Sequence, residues 1–123
     1  MAGAMKALLC VFFALVVTTF AGASPKAGQA SWYGENHRGK LMANGKRFDP
    51  SKMTAASWFY PLGARVRVNL KGPARSVVVT ITDRGPAGSL VREGRIIDLA
   101  QAAFDHLARS SVGLVAVTVE PVR

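Results

Sequence analysis

The sequence predicts a mainly β domain closed into a barrel, and three observations lead there. Ala64–Leu70 and Ser76–Thr82 alternate residue by residue, with β-branched side chains that suit a pleated, half-buried strand. Glycine, proline and Asn-Gly signals cut the chain into short pieces at Gly34, Asn44-Gly45, Asp49-Pro50, Gly72-Pro73 and Gly85-Pro86. A helical face occurs in a single stretch, after Asp98. Many short strands and one short helix in about 100 residues suggest a closed barrel, which leaves no sheet edge exposed.

In chain order, Met1–Ala23 reads as a secretory signal peptide. Lys6 gives a positive start, Ala7–Phe20 is apolar apart from threonine, and Ala21-Gly22-Ala23 is a small-residue cleavage pattern. The run is short for a membrane span, so no stable membrane insertion is expected after cleavage. Cys10 follows Leu8-Leu9 inside this run and reads as filler, not as a lipidation site. The mature chain then has no cysteine, which removes both disulfides and a thiolate nucleophile. Residues 24–28 read as a short tail and 29–123 as one domain.

Gln29–Tyr33 reads as the first strand, ended by Gly34. Glu35–Gly45 is a polar, glycine-punctuated loop containing His37. With His106 far along the chain and no mature cysteine, a zinc site lacks ligands, and metal is discounted. Asp49-Pro50-Ser51 is a turn in which Asp49 can accept from following amides. Trp58-Phe59-Tyr60 is an aromatic cluster, expected to place at least two of its rings in the core. Ala64–Leu70 puts Val66, Val68 and Leu70 inward, and Lys71–Ala74 turns the chain into the strand from Ser76. That strand aims Val77, Val79 and Ile81 inward and delivers Asp83 and Arg84 at its end, where a rigid scaffold meets an open loop. Asp98 followed by Gln101 reads as a capping box, with Leu99, Ala102, Ala103, Phe104 and Leu107 as the helical face. His106 falls near the helix end, where its charge is favourable. Gly113–Val122 closes the chain as a strand.

The chain carries 16 Lys+Arg against 7 Asp+Glu, a formal net charge of +9. For an exported protein such a balance points to an acidic extracellular polymer or surface. Nucleic acid is disfavoured, because the basic residues form no run and no evident helix face.

Ala30-Ser-Trp-Tyr-Gly34, Ala43-Asn-Gly-Lys-Arg-Phe-Asp49, Thr54-Ala-Ala56, Leu62–Val68, Val77-Val-Val79, Thr82-Asp-Arg-Gly-Pro86 and Gly94-Arg-Ile-Ile-Asp-Leu99 together resemble the RlpA family, the rare lipoprotein A or septal-ring lytic transglycosylases. Their order and spacing cover nearly the whole chain after residue 28. The resemblance implies a six-stranded double-psi β-barrel, shared with expansins and family 45 glycoside hydrolases, acting on peptidoglycan glycan strands. It implies cleavage between N-acetylmuramic acid and N-acetylglucosamine with a 1,6-anhydro product and no cofactor. In the family, catalysis is attributed to the aspartate of the Asp-Arg-Gly-Pro turn with an acidic residue and a histidine from upstream motifs. Here Lys46 stands where glutamate is usual, Ser57 where histidine follows Thr-Ala-Ala, and His37 beside the usual loop position held by Arg38.

The expected site thus has Asp83 as general acid/base and Asp49 as supporting carboxylate. Arg84, Arg47, Asn44, Ser57, Tyr33 and Trp58 are expected to bind the glycan. The expected protein is a monomer exported to the periplasm or cell envelope without a lipid anchor. A non-catalytic, expansin-like glycan-binding module, with Trp58, Tyr60 or Trp32 as the sugar platform, is the alternative reading. A basic scaffold protein is a third.

Overall fold

A computed structural model describes residues 25–123. The segment read as a signal peptide, including Cys10, lies outside the described residues. The described chain is a closed barrel of six strands: β1 (Lys26–Tyr33), β2 (Thr54–Ala56), β3 (Arg65–Leu70), β4 (Ser76–Asp83), β5 (Arg95–Ala100) and β6 (Val115–Pro121). Around the wall their order is β1-β5-β2-β4-β3-β6. The β1/β5 and β2/β4 pairs are parallel and the rest antiparallel. Two short helices, α1 (Gly88–Arg92) and α2 (Gln101–Phe104), replace the single one expected.

The barrel is filled by the inward rows the alternation predicts. Val66 and Val68 of β3, Val79 and Ile81 of β4, and Val117 and Val119 of β6 are essentially solvent-free, and Ile97 and Leu99 of β5 join them. Phe104 and Leu107 are buried in the same cluster. A second, smaller cluster forms where the loop after β1 folds back: Met42 and Phe48 pack on Ala100 and against Tyr33. That loop is what turns one patch of barrel wall into a site.

The structure corrects three expectations and adds a strand where none was assigned. β1 starts at Lys26, inside the segment expected to be a tail, because Lys26, Ala27 and Gly28 pair with Val119, Thr118 and Val117 of β6. Thr54–Ala56 is a strand, although three small residues show no alternation of their own; β4 and β5 supply it with partners on both sides. Asp98 is not a helix cap. It lies within β5, opposite Ser31 and Ala56, and α2 begins only after Ala100, with no side-chain cap. Pairing to two neighbouring strands outweighs a capping interaction of about 1 kcal/mol. Finally, Trp58 and Phe59 are 57% and 41% exposed, and of the three rings Tyr60 alone packs on the core.

Candidate functional site

Three consecutive wall strands, β5, β2 and β4, place two carboxylates in one row. Asp98 and Asp83 are both in register with Ala56, one on each side, so their Cα atoms are separated by two strand spacings, roughly 10 Å. Strict alternation after Val77, Val79 and Ile81 would aim Asp83 into the barrel. It does not point there, because β4 holds one extra residue: Ala55 faces Ile81 while Ala56 faces Asp83. This bulge at Thr82 brings Asp83 to the outer face, a common use of bulges beside functional sites. Both carboxylates are half-buried.

Their environments differ. Asp83 Oδ1 accepts the backbone N–H groups of Ala43 and Arg84, each at 2.9 Å, which docks the β1–β2 loop onto the end of β4. Asn44 reinforces this by donating its N–H to the Thr82 carbonyl. Asp98 Oδ1 accepts from Ser31 Oγ at 3.2 Å. Burial pushes the Asp98 carboxyl up to about 6; Ser31, His37 and Arg95 oppose that rise and the negative charge of Asp83 adds to it. Two acids in one row, one of them kept partly protonated near neutrality by its surroundings, are the pattern of an acid/base pair.

Tyr33 lies near enough to both carboxylates to feel their charge. Its ring stacks on Phe48 with centroids 4.1 Å apart and meets the edge of His37 at 5.6 Å. Its hydroxyl is buried without a hydrogen-bond partner among the described residues, and burial, then Asp83 and Asp98, push its pKa well up. The phenol is therefore a neutral donor at any physiological pH.

Other expected site residues take different places. Asp49 is held by the N–H and hydroxyl of Ser51, at 2.9 and 2.7 Å, with Arg38 at 3.6 Å. Those contacts, led by the Ser51 hydroxyl, lower its pKa, so Asp49 resists protonation and serves its turn. Ser57 is a correction: it is fully buried, donating Oγ–H to the Ile96 carbonyl and accepting the Phe59 N–H, and cannot touch a substrate. Arg84 turns Nη1 onto the carbonyls of Ser57 and Tyr60, at 2.7 and 2.6 Å, and so braces the 57–60 loop. Arg47 and Asn44 are exposed on the β1–β2 loop. Arg47 Nη1 donates to the Gly39 carbonyl, and Asn44 Oδ1 accepts the Lys46 N–H. Trp58 is exposed, with Nε1 donating to the Pro86 carbonyl at 2.7 Å, so its ring is fixed beside the Asp83 turn. Asp98 is the residue sequence reasoning missed. Its available signal was the apolar pair Ile96-Ile97 before it, which continues a strand as readily as it precedes a cap.

Comparison with known proteins shows the family of the chain. A family model described as lytic transglycolase matches residues 25–119. The probable endolytic peptidoglycan transglycosylase RlpA of Synechocystis is 41% identical over 98 residues, 80% of this chain and 29% of that protein. The RlpA transglycosylase of Rickettsia felis is 39% identical over 77% of this chain and 41% of its own length. The chain thus spans well under half of these relatives. Among solved structures, the Streptomyces papain inhibitor superposes with a TM-score of 0.62 at 28% identity, covering 82% of this chain and 96% of that one. A point variant of the Clavibacter michiganensis expansin, in complex with cellohexaose, gives 0.61 at 19% identity, covering 81% and 51%, a likeness of fold. The chain belongs to the lytic transglycolase family and carries its double-psi β-barrel domain, as the RlpA-like motifs imply.

Proposed function

We propose that this domain is a lytic transglycosylase of peptidoglycan, cleaving glycan strands between N-acetylmuramic acid and N-acetylglucosamine. The observation that carries the reading is the Asp98/Asp83 row, with Asp98 at about 6. Asp98 is the acid: its carboxyl protonates the bridging oxygen as the glycosidic bond breaks. The negative charge of Asp83 opposes the positive charge that develops on the sugar ring. The muramoyl 6-hydroxyl then closes on the anomeric carbon and returns its proton to the Asp98 carboxylate, leaving a 1,6-anhydro end without consuming water. This moves the acid/base role from Asp83, expected from sequence, to Asp98. Relatives named peptidoglycan transglycosylases at about 40% identity support the substrate class. The same reading makes this a protein of the cell envelope, exported by its leader.

The alternative, a binding module, draws on the exposed and pinned ring of Trp58, a surface on which a sugar face can stack. One experiment separates the two. Peptidoglycan stripped of stem peptides is digested, and 1,6-anhydro-muramoyl ends are measured by mass spectrometry for the parent, Asp98→Asn and Asp83→Asn. The enzyme reading expects product from the parent and a drop of at least 100-fold in Asp98→Asn, the usual scale of general acid catalysis. Retained binding with no product from any of the three would establish the module instead.

A further inference from the structure

Beside the carboxylate row, the β1–β2 loop and the outer face of β2 and β4 enclose a cleft of about 570 Å³ that the proposed chemistry does not use. That volume is in the range of small-ligand sites. Lys46, Arg47 and Lys52 line it, and among the described residues no acidic side chain does. Asp49 lies near enough to Lys52 to feel its charge, but is itself taken up by Ser51 and Arg38. Among the described residues neither Lys46 nor Lys52 has a salt-bridge partner.

The floor of the cleft carries the second observation. Thr54 and Thr82 line it, and the hydroxyl of each is buried without a hydrogen-bond partner among the described residues. Thr82 is only 8% exposed. A buried hydroxyl left unpaired is costly, and two of them under three cations are what an acceptor with negative charge would satisfy. Thr82 immediately precedes Asp83, so whatever occupies the cleft lies next to the reacting sugar.

We propose that this cleft is a subsite for a carboxylate carried by the glycan strand, with Lys46 and Lys52 supplying the counter-charge and the Thr54 and Thr82 hydroxyls, turned outward by a side-chain rotation, donating to its oxygens. This rests on the glycan reading above and deepens it. Two sources offer such a group: the lactyl carboxylate of unsubstituted N-acetylmuramic acid, and the carboxylates of a stem peptide.

The test is calorimetric titration in the Asp98→Asn background at fixed ionic strength, so that turnover is suppressed and non-specific charge effects stay constant. The probes are a GlcNAc–MurNAc tetrasaccharide with free lactyl carboxylates, its lactyl methyl ester, and the same saccharide bearing an L-Ala–D-Glu dipeptide. A carboxylate form should bind about tenfold tighter than the ester, the scale of one charge-assisted contact; which form shows the gain identifies the source. Lys46→Gln with Lys52→Gln should abolish the gain and leave affinity for the ester unchanged. Thr82→Val should also weaken carboxylate binding while raising the Tm of the unliganded protein, a split that a purely structural threonine would not give. Equal affinity for all three probes, no binding of any, or a preference that survives the double substitution overturns the subsite. Anhydro product from the parent without a carboxylate preference sinks the subsite alone, whereas the preference without product sinks the transglycosylase reading and leaves the subsite standing.

Discussion

Asp98 shows how one residue can carry opposite costs in folding and in chemistry. Its ordinary value of 3.8 is raised to about 6 in the fold, chiefly by burial. The folded protein therefore holds a proton that the unfolded chain has released. Below pH 3.8 both states are protonated and Asp98 has no effect; stability then falls as pH rises towards 6, and above that the penalty is complete, about 3 kcal/mol. Asp98→Asn keeps the acceptor for Ser31 and removes the charge. The variant should match the parent in urea unfolding at pH 3.5 and exceed it at pH 7.5; an equal gain at both pH values would show that its effect is not titration. The parent's activity should in turn decline above pH 6 as the acid is lost. None of this was legible in the sequence. Asp98 and Gln101 have the spacing of a capping box, and only the register with Ser31 and Ala56 shows the carboxylate belonging to the wall. Asp83, by contrast, was legible as a displayed residue, because the Gly85-Pro86 turn behind it is a local signal.

At the scale of elements, β3, β4 and β6 could be read from alternation because each has one face in the core and one outside it. β2 could not: its strand character comes from β4 and β5, which lie far away in sequence. The bulges were equally hidden, since an extra residue in one strand is defined only against its partner. A second bulge sits where Gln29 faces Arg95 and Ala30 faces Ile97, leaving Ile96 as the extra residue of β5. Gly28 makes room for it: a Cβ there would stand 2.7 and 2.8 Å from the Ile96 side chain and 2.9 Å from the Gly94 carbonyl. Real Cβ atoms do not approach so closely, and two of these contacts belong to a buried, branched side chain. Gly28→Ala should therefore destabilise by about 1–3 kcal/mol, as overpacking does, seen as a lower urea midpoint. Ile96→Ala should recover only part of it, because the Gly94 carbonyl remains in the way. Full recovery would mean that side-chain crowding alone made the glycine necessary.

For the whole molecule, the dominant property is charge, which sequence alone fixes at a formal +9. What sequence does not give is its distribution. The folded chain gathers Lys46, Arg47 and Lys52 around one cleft next to the Asp83 turn, while Arg65 and Arg67 stand on the outer face of β3. Diffuse charge and gathered charge respond differently to salt. Exposed charges interact over roughly 10 Å at 0.1 M ionic strength and about 3 Å at 1 M, so binding to intact peptidoglycan sacculi should weaken steadily as salt is raised. If the cleft carries much of the attraction, Lys46→Gln with Lys52→Gln should flatten that dependence more than Arg65→Gln with Arg67→Gln, although each pair removes the same charge. The comparison is a sacculus pull-down at several salt concentrations with the three proteins side by side. Equal flattening by both pairs would make the attraction a matter of net charge alone, and binding independent of salt in the parent would make the charge incidental to recognition.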